Sequence, residues 1–118
     1  MKIIPRDRRF QVGAGDAIVQ LTHTHDVHPE PDEQVTFHAG EAEYDVVRKS
    51  WGFYATPSVN GRLKRFGLRT ALVENPAGLR YVLLVDRTQM ADFEAYLRDQ
   101  CMTVLTWLDD PDDEPDPR

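Results

Sequence analysis

The sequence predicts an α+β fold: a mostly antiparallel sheet of six or seven strands with one main helix, at about residues 88–101, packed on it. Two observations support this fold. Up to residue 86 the chain consists of short β-favouring runs separated by turn residues. Apolar residues at a spacing of three or four follow from Met90 to Cys101. A chain of 118 residues with 41% hydrophobic content fits one core, so we predict a single domain over residues 1–108.

Short strands are predicted in the N-terminal half, where β-favouring runs end at turns or prolines. They cover residues 2–5, 10–12, 17–25 and 34–39. Residues 43–55 form a longer β-rich run of thirteen residues, which exceeds the usual length of a strand. We therefore expect a bend or bulge near residues 50–52.

Residues 56–67 allow two predictions. Thr56 can cap a helix that has Pro57 at its first position and Gly67 just past its end. The pair Asn60-Gly61 instead favours a tight hairpin turn. We prefer a short helix or helical turn, because its start and stop signals agree and the residues after Gly61 lack strand alternation.

The C-terminal half predicts a hairpin, a helix and a final strand. Residues 68–74 and 79–86 are β-rich runs, and the apolar stretch 82–85 predicts a strand covered on both faces. Thr88 is the expected helix cap, and a last strand is expected at residues 102–108. Residues 109–118 are mostly Asp, Glu and Pro, which predicts a disordered acidic tail.

Charge is unevenly distributed along a chain of net charge −6. Residues 10–47 hold eight acids and no Lys or Arg, whereas residues 46–73 hold six basic residues and no acid. The acidic balance argues against a nucleic-acid coat or a membrane-surface protein, and no run reaches the roughly 18 apolar residues of a membrane span. We therefore expect neither nucleic acid nor membrane as a partner. Contact between the acidic and basic blocks of two copies would give a salt-sensitive homodimer.

The single cysteine, Cys101, cannot form an internal disulfide, which suits a reducing compartment. Residues 1–10 lack the long apolar run of a signal peptide. We therefore expect a cytoplasmic protein. Because Cys101 falls in the last turn of the predicted helix, we expect a buried structural thiol there.

The main candidate binding site is the basic aromatic stretch, defined as residues 51–69. Guanidinium groups bind phosphate or carboxylate through paired hydrogen bonds, and nearby aromatic rings stack on a ligand. The candidate ligand-binding residues are Arg48, Trp51, Tyr54, Arg62, Lys64, Arg65 and Arg69. The alternative is that Trp51, Phe53, Leu63 and Phe66 belong to the core while the charges face water.

A second candidate site is the histidine cluster, since all four histidines fall within sixteen residues of one another. Neutral imidazoles bind zinc, iron, nickel or copper, and residues two apart on a strand point the same way. His23 and His25 also continue the apolar face of their predicted strand, toward the interior or a cavity. The candidate metal ligands are His23, His25, His28 and His38. The alternative is that paired strand histidines are ordinary hydrogen-bonded polar residues.

The cluster resembles two family motifs. His23 and His25, followed by Glu30 after four residues, resemble the His-x-His…Glu motif of the cupins, and the resemblance covers these eight residues. It implies a small β-barrel enzyme that uses a transition metal. His23, His25 and His28 also resemble part of the metallo-β-lactamase motif, although Asp26 stands one place early for it.

No serine of the chain lies in a nucleophile elbow, and Gly13–Asp16 lacks the third glycine of a dinucleotide loop. The leading hypothesis is therefore a small, soluble, non-catalytic domain that needs no cofactor. It would bind a phosphorylated or carboxylated small molecule, or an acidic protein surface, through the basic aromatic stretch. The alternative hypothesis is a cupin-like metal-dependent enzyme that uses the histidines.

Overall fold

The computed structural model describes residues 1–109 and confirms a single α+β domain with mainly antiparallel strands and one main helix. Within this part of the chain there are eight strands and two α-helices. The strands are β1 (Lys2–Ala14), β2 (Ala17–His28), β3 (Gln34–Ala39), β4 (Ala42–Lys49), β5 (Gly52–Ala55), β6 (Leu68–Glu74), β7 (Arg80–Asp86) and β8 (Thr103–Trp107). The helices are α1 (Arg62–Arg65) and α2 (Met90–Asp99), and a 3₁₀ turn at Arg87–Gln89 precedes α2. Residues 110–118 of the predicted tail lie outside the described residues.

The strands form three sheets rather than the single sheet of six or seven strands that the sequence predicts. The strand orders are β1-β2, β3-β4-β5 and β7-β6-β8, with every neighbouring pair antiparallel. The first two predicted strands merge into β1, because an irregularity between Pro5 and Arg8 lets the strand continue past the proline. The predicted run at residues 43–55 instead breaks into β4 and β5, where Gly52 adopts a φ of 144° that other residues rarely reach.

Residues 56–67 contain the predicted helical turn, but it begins later than the capping signals suggest. α1 starts at Arg62, and Pro57 lies buried in the loop before it. The carbonyl of Ser58 accepts hydrogen bonds from the amides of Gly61 and Leu63, which fold the loop into the helix. Gly67 ends the turn at a φ of 90°, and its amide donates to the carbonyl of Lys64 at 3.0 Å.

Leu63 fixes this turn to the rest of the molecule. Its side chain is 0% exposed and lies in a core cluster with Ala42 of β4 and Leu68 of β6. Burying a leucine side chain contributes roughly 2 kcal/mol, whereas an isolated turn of four residues is unstable in water. Packing at Leu63 therefore holds α1 in place between two of the sheets.

The C-terminal sheet carries α2 on one face. β6 pairs with both β7 and β8, so these two outer strands run parallel to each other, and α2 connects them. The ring of Phe93 on α2 packs edge-on against Trp107 of β8, with centroids 5.7 Å apart. Thr88 is not the cap of α2, whose cap position is Gln89 and has no side-chain capping bond. The carboxylate of Asp86 instead caps the 3₁₀ turn, since it accepts a hydrogen bond from the amide of Thr88 at 2.9 Å.

Two expectations for this region are wrong. Cys101 is exposed, because α2 ends at Asp99 and Cys101 turns the chain in the left-handed region with a φ of 57°. β7 is covered on both faces only toward its C-terminal end, where Val85 is buried. Near its start, Val82 is 59% exposed.

Candidate functional site

Three predicted ligand-binding residues lie together on α1, and we call Arg62, Lys64 and Arg65 the basic turn. Arg62 and Arg65 are exposed, and their spacing of three residues places them on neighbouring positions of the helix surface. None of the ion pairs formed within residues 1–109 includes a residue of the basic turn. The turn is therefore a concentration of positive charge without a carboxylate partner in the described part of the chain.

Contacts within the stretch orient Arg62. Its Nη2 atom donates to Oγ1 of Thr56 at 3.3 Å, and its guanidinium carbon lies 5.6 Å from the centre of the Phe66 ring. Both contacts hold the arginine against side chains of the same stretch. The remaining guanidinium hydrogens stay available to an external acceptor, because Arg forms five N–H donors.

A shallow groove of about 430 Å³ borders the basic turn and includes a residue that sequence reasoning missed. Arg87 lines it together with Arg65, and Nη1 of Arg87 donates to the carbonyl of Lys64 at 3.2 Å. Glu41 and Asp86 also line the groove. Hydrogen bonds from Thr88 hold the pKa of Asp86 below its usual range, which keeps this group a carboxylate.

The balance of two guanidiniums and two carboxylates makes this groove a poor site for a small anion. Arg87 could not be found from the sequence, because it lies outside the basic block and reaches α1 only through the tertiary fold. Its amide also donates to the carbonyl of Gly67 at 3.0 Å.

The aromatic residues at the start of the stretch are exposed, so their assignment to the core is wrong. Trp51 is 69% exposed, and Phe53 is exposed as well. The rings of Trp51 and Tyr54 stack with centroids 6.1 Å apart and planes inclined by 25°. β5 is a short outer strand, and no element within residues 1–109 buries these rings.

Trp51 lies before β5, Tyr54 lies within it, and the basic turn lies beyond its end. Trp51 precedes the strand and Thr56 follows it, and five residues of extended chain span about 16 Å. Because Arg62 bonds to Thr56, the basic turn belongs to the far end of the strand from Trp51. The basic aromatic stretch is therefore an elongated surface, not one compact pocket.

The basic residues of β4 bond to the loop at residues 28–33. Nη1 of Arg48 donates to the carbonyl of Pro29 at 3.0 Å. Lys49 pairs with Asp32, and this hydrogen bond raises the pKa of Lys49. Arg48, a predicted ligand-binding residue, therefore holds a loop from the acidic block against β4.

Arg69 lies in a separate environment from the basic turn. Its Nε atom donates to Oδ2 of Asp109 at 3.0 Å, and its guanidinium carbon lies 4.0 Å from the centre of the Trp107 ring. Asp109, the first residue of the predicted tail, is only 1% exposed. These contacts indicate a structural ion pair at Arg69.

The four histidines are distributed over two sheets. His23, His25 and His28 lie on β2, whereas His38 lies on β3 opposite Glu43. Residues 1–109 contain no group of three or more His, Cys, Asp or Glu side chains arranged to hold a metal ion. The geometry therefore gives the metal hypothesis no support.

His23 and Asp26 form a smaller polar cluster beside the irregularity of β1. Nε2 of His23 lies 2.7 Å from Oδ1 of Asp26, and Nε of Arg6 donates to Oδ2 of the same carboxylate at 2.7 Å. The hydrogen bond from Arg6, aided by His23, lowers the pKa of Asp26. Nδ1 of His25 instead lies 3.0 Å from Oγ1 of Thr24, so the two histidines have different partners.

Acidification should weaken this cluster. The pKa of Asp26 is lower in the folded state than in the unfolded state. The ionised carboxylate therefore stabilises the fold fully above the unfolded-state pKa, and this stabilisation is lost as the pH falls through the folded-state pKa. We expect the thermal midpoint of the wild type to fall more between about pH 6 and pH 3 than that of Asp26→Asn. Asp7→Asn, an exposed change in the same hairpin, is the control and should keep the wild-type pH dependence. An equal slope in wild type and Asp26→Asn would contradict this role.

Comparisons with protein-family models, with curated proteins and with solved structures found no match to this chain. Within residues 1–109, neither helix has the length and apolar character that crossing a membrane requires. Function must therefore be inferred from the surface that these residues build.

Proposed function

We propose that the protein is a small non-catalytic domain that binds an acidic protein surface through the basic aromatic stretch. The observation that carries the proposal is the basic turn, three cations that lack a carboxylate partner among the described residues. In a chain of net charge −6, such a turn concentrates positive potential at one place.

The length of the surface favours a protein partner over a small molecule. The extended backbone from Trp51 to Thr56, the residue that Arg62 contacts, spans about 16 Å, which is longer than one small anion. An acidic protein surface can contact both ends at once. Exposed tryptophan and arginine are also the residue types enriched at the centres of protein interfaces.

The adjoining groove supports the same choice. Its two arginines are offset by Glu41 and Asp86, so a phosphate or carboxylate entering it would meet like charges as well as opposite ones. Arg62 and Lys64 do not line that groove. A partner that approaches from outside reaches Arg62 and Lys64 without entering the groove that holds these carboxylates.

Charge reversal on α1 tests the proposal. The probe is poly-L-glutamate, and binding is measured by calorimetry at low salt. Arg62→Glu/Arg65→Glu is expected to weaken binding at least about tenfold, since electrostatic contacts dominate this interaction. Added salt should weaken wild-type binding as well.

Lys2→Glu/Arg9→Glu provides the matched control. It makes the same change of net charge at two exposed positions of β1 and should weaken binding less than about threefold. Equal losses in both double variants would mean that poly-L-glutamate responds to net charge alone. That outcome would overturn the proposed site.

A further inference from the structure

β7 is an edge strand without a proline, a bulge or a charged residue in its middle. It pairs with β6 over all seven residues without a bulge, and no strand within residues 1–109 pairs with its other side. Five consecutive uncharged residues, Tyr81 to Val85, occupy its middle, and both Tyr81 and Val82 are exposed. A flat, apolar, exposed edge strand is a template for another strand.

The other outer strands differ from β7 in this respect. β1 carries Pro5, five charged residues and an irregular register, all of which discourage pairing. β8 has a register shift opposite Leu72 and Val73. β3 alternates polar residues with apolar ones, and β5 has only four residues. β2 is also an outer strand, with Ile18, Val19 and Leu21 exposed, but its pairing with β1 is irregular near His23 and it carries Asp26. β7 combines a regular register with an uncharged middle, which suits it to pair with another chain.

A groove of about 460 Å³ runs along this edge. Five successive residues, Val82 to Asp86, form one wall. Since successive side chains point to opposite faces of a sheet, a groove that touches all five follows the edge of the strand rather than one face. The opposite wall is one side of α2, formed by Asp92, Phe93 and Tyr96. Gln89, at the end of the 3₁₀ turn, also lines it.

We propose that β7 pairs with β7 of a second copy, antiparallel, about a two-fold axis at Leu83. This register places Arg80 of each copy opposite Asp86 of the other, Tyr81 opposite Val85, and Val82 opposite Leu84. The strand is self-complementary, because the two-fold axis brings Arg80 of each copy opposite Asp86 of the other. The result is a continuous six-stranded sheet.

The order of charges along β7 is the reason for choosing a second copy as the occupant. Arg80 bonds to Glu74 of its own chain at 2.9 Å on an exposed surface, a contact weak enough to be shared with Asp86 of the other copy. The five residues between the charges are uncharged in both copies. This dimer should therefore persist at high salt, unlike a dimer between the acidic and basic blocks.

A lysine in the edge tests the pairing. We expect light scattering to give the wild type a mass of twice 13.6 kDa at low and high salt. Val82→Lys should raise the dimer dissociation constant about 100-fold, because a lysine on an edge strand opposes its pairing with another strand. Leu105→Lys is the matched control, since Leu105 is exposed on β8 at the opposite edge of the same sheet, and it should remain dimeric.

Cross-linking supplies a test that does not depend on the lysine variant folding. With Cys101→Ser as background, Leu83→Cys should form a disulfide-linked dimer on mild oxidation, because directly opposed residues lie within disulfide range. Leu105→Cys in the same background should not. A monomeric wild type at every concentration, a Val82→Lys variant as dimeric as wild type, or equal cross-linking at both cysteines would each overturn the proposal. A monomer that captures an extended peptide at β7 would overturn it as well.

Discussion

Replacing Arg69 with methionine is expected to lower the free energy of unfolding by about 3 kcal/mol. The substitution leaves the carboxylate of Asp109 buried without its cation, and Oδ1 of that carboxylate already has no hydrogen-bond partner. It also removes the guanidinium that stacks on Trp107. Urea unfolding followed by tryptophan fluorescence measures the change.

Two variants separate this effect from a general loss of charge. Arg62→Met removes an arginine that has no carboxylate partner within residues 1–109, and it should change the free energy of unfolding by at most about 0.5 kcal/mol. Arg69→Met/Asp109→Leu removes both charges and should recover most of the lost stability. A loss below about 1 kcal/mol for Arg69→Met would mean that Asp109 does not depend on this ion pair.

Replacing Leu63 with alanine is expected to cost about 3 kcal/mol, within the usual range for a fully buried leucine. The cavity would open between β4, β6 and the helical turn. Because a four-residue turn has little stability of its own, binding of poly-L-glutamate should fall together with the stability. Unfolding and calorimetric titration of the same sample measure both.

Leu105→Ala is the control for this substitution. Leu105 is exposed, and its truncation should cost less than about 1 kcal/mol and leave binding unchanged. If Leu63→Ala lost stability but bound poly-L-glutamate with wild-type affinity, the basic turn would not be the binding element.

The local elements followed from the sequence wherever one periodic signal dominated. The stripe of Met90, Phe93 and Leu97 identified α2, and the runs around Asn75-Pro76 identified the β6–β7 hairpin. The division into three sheets could not be predicted. It depends on the irregularity after Pro5 and on the reversal before Gly52, where local propensity allows both continuation and a turn.

The candidate site was predicted in composition but not in geometry. A run of basic and aromatic residues in the sequence does not reveal that Arg69 turns to Asp109 forty residues later, or that Arg48 bonds to Pro29. Both contacts arise from strand pairing over long sequence distances. The unpartnered cations of α1 could be recognised only after the partners of the other basic residues were known.

Amide chemical-shift mapping with poly-L-glutamate tests the central claim most directly. The account predicts that the largest shifts fall on residues 62–65, with smaller shifts at residues 51–54 near the exposed Trp51, and that added salt reverses both. Shifts confined to the β1–β2 hairpin and its histidines, with residues 62–65 unmoved, would contradict it.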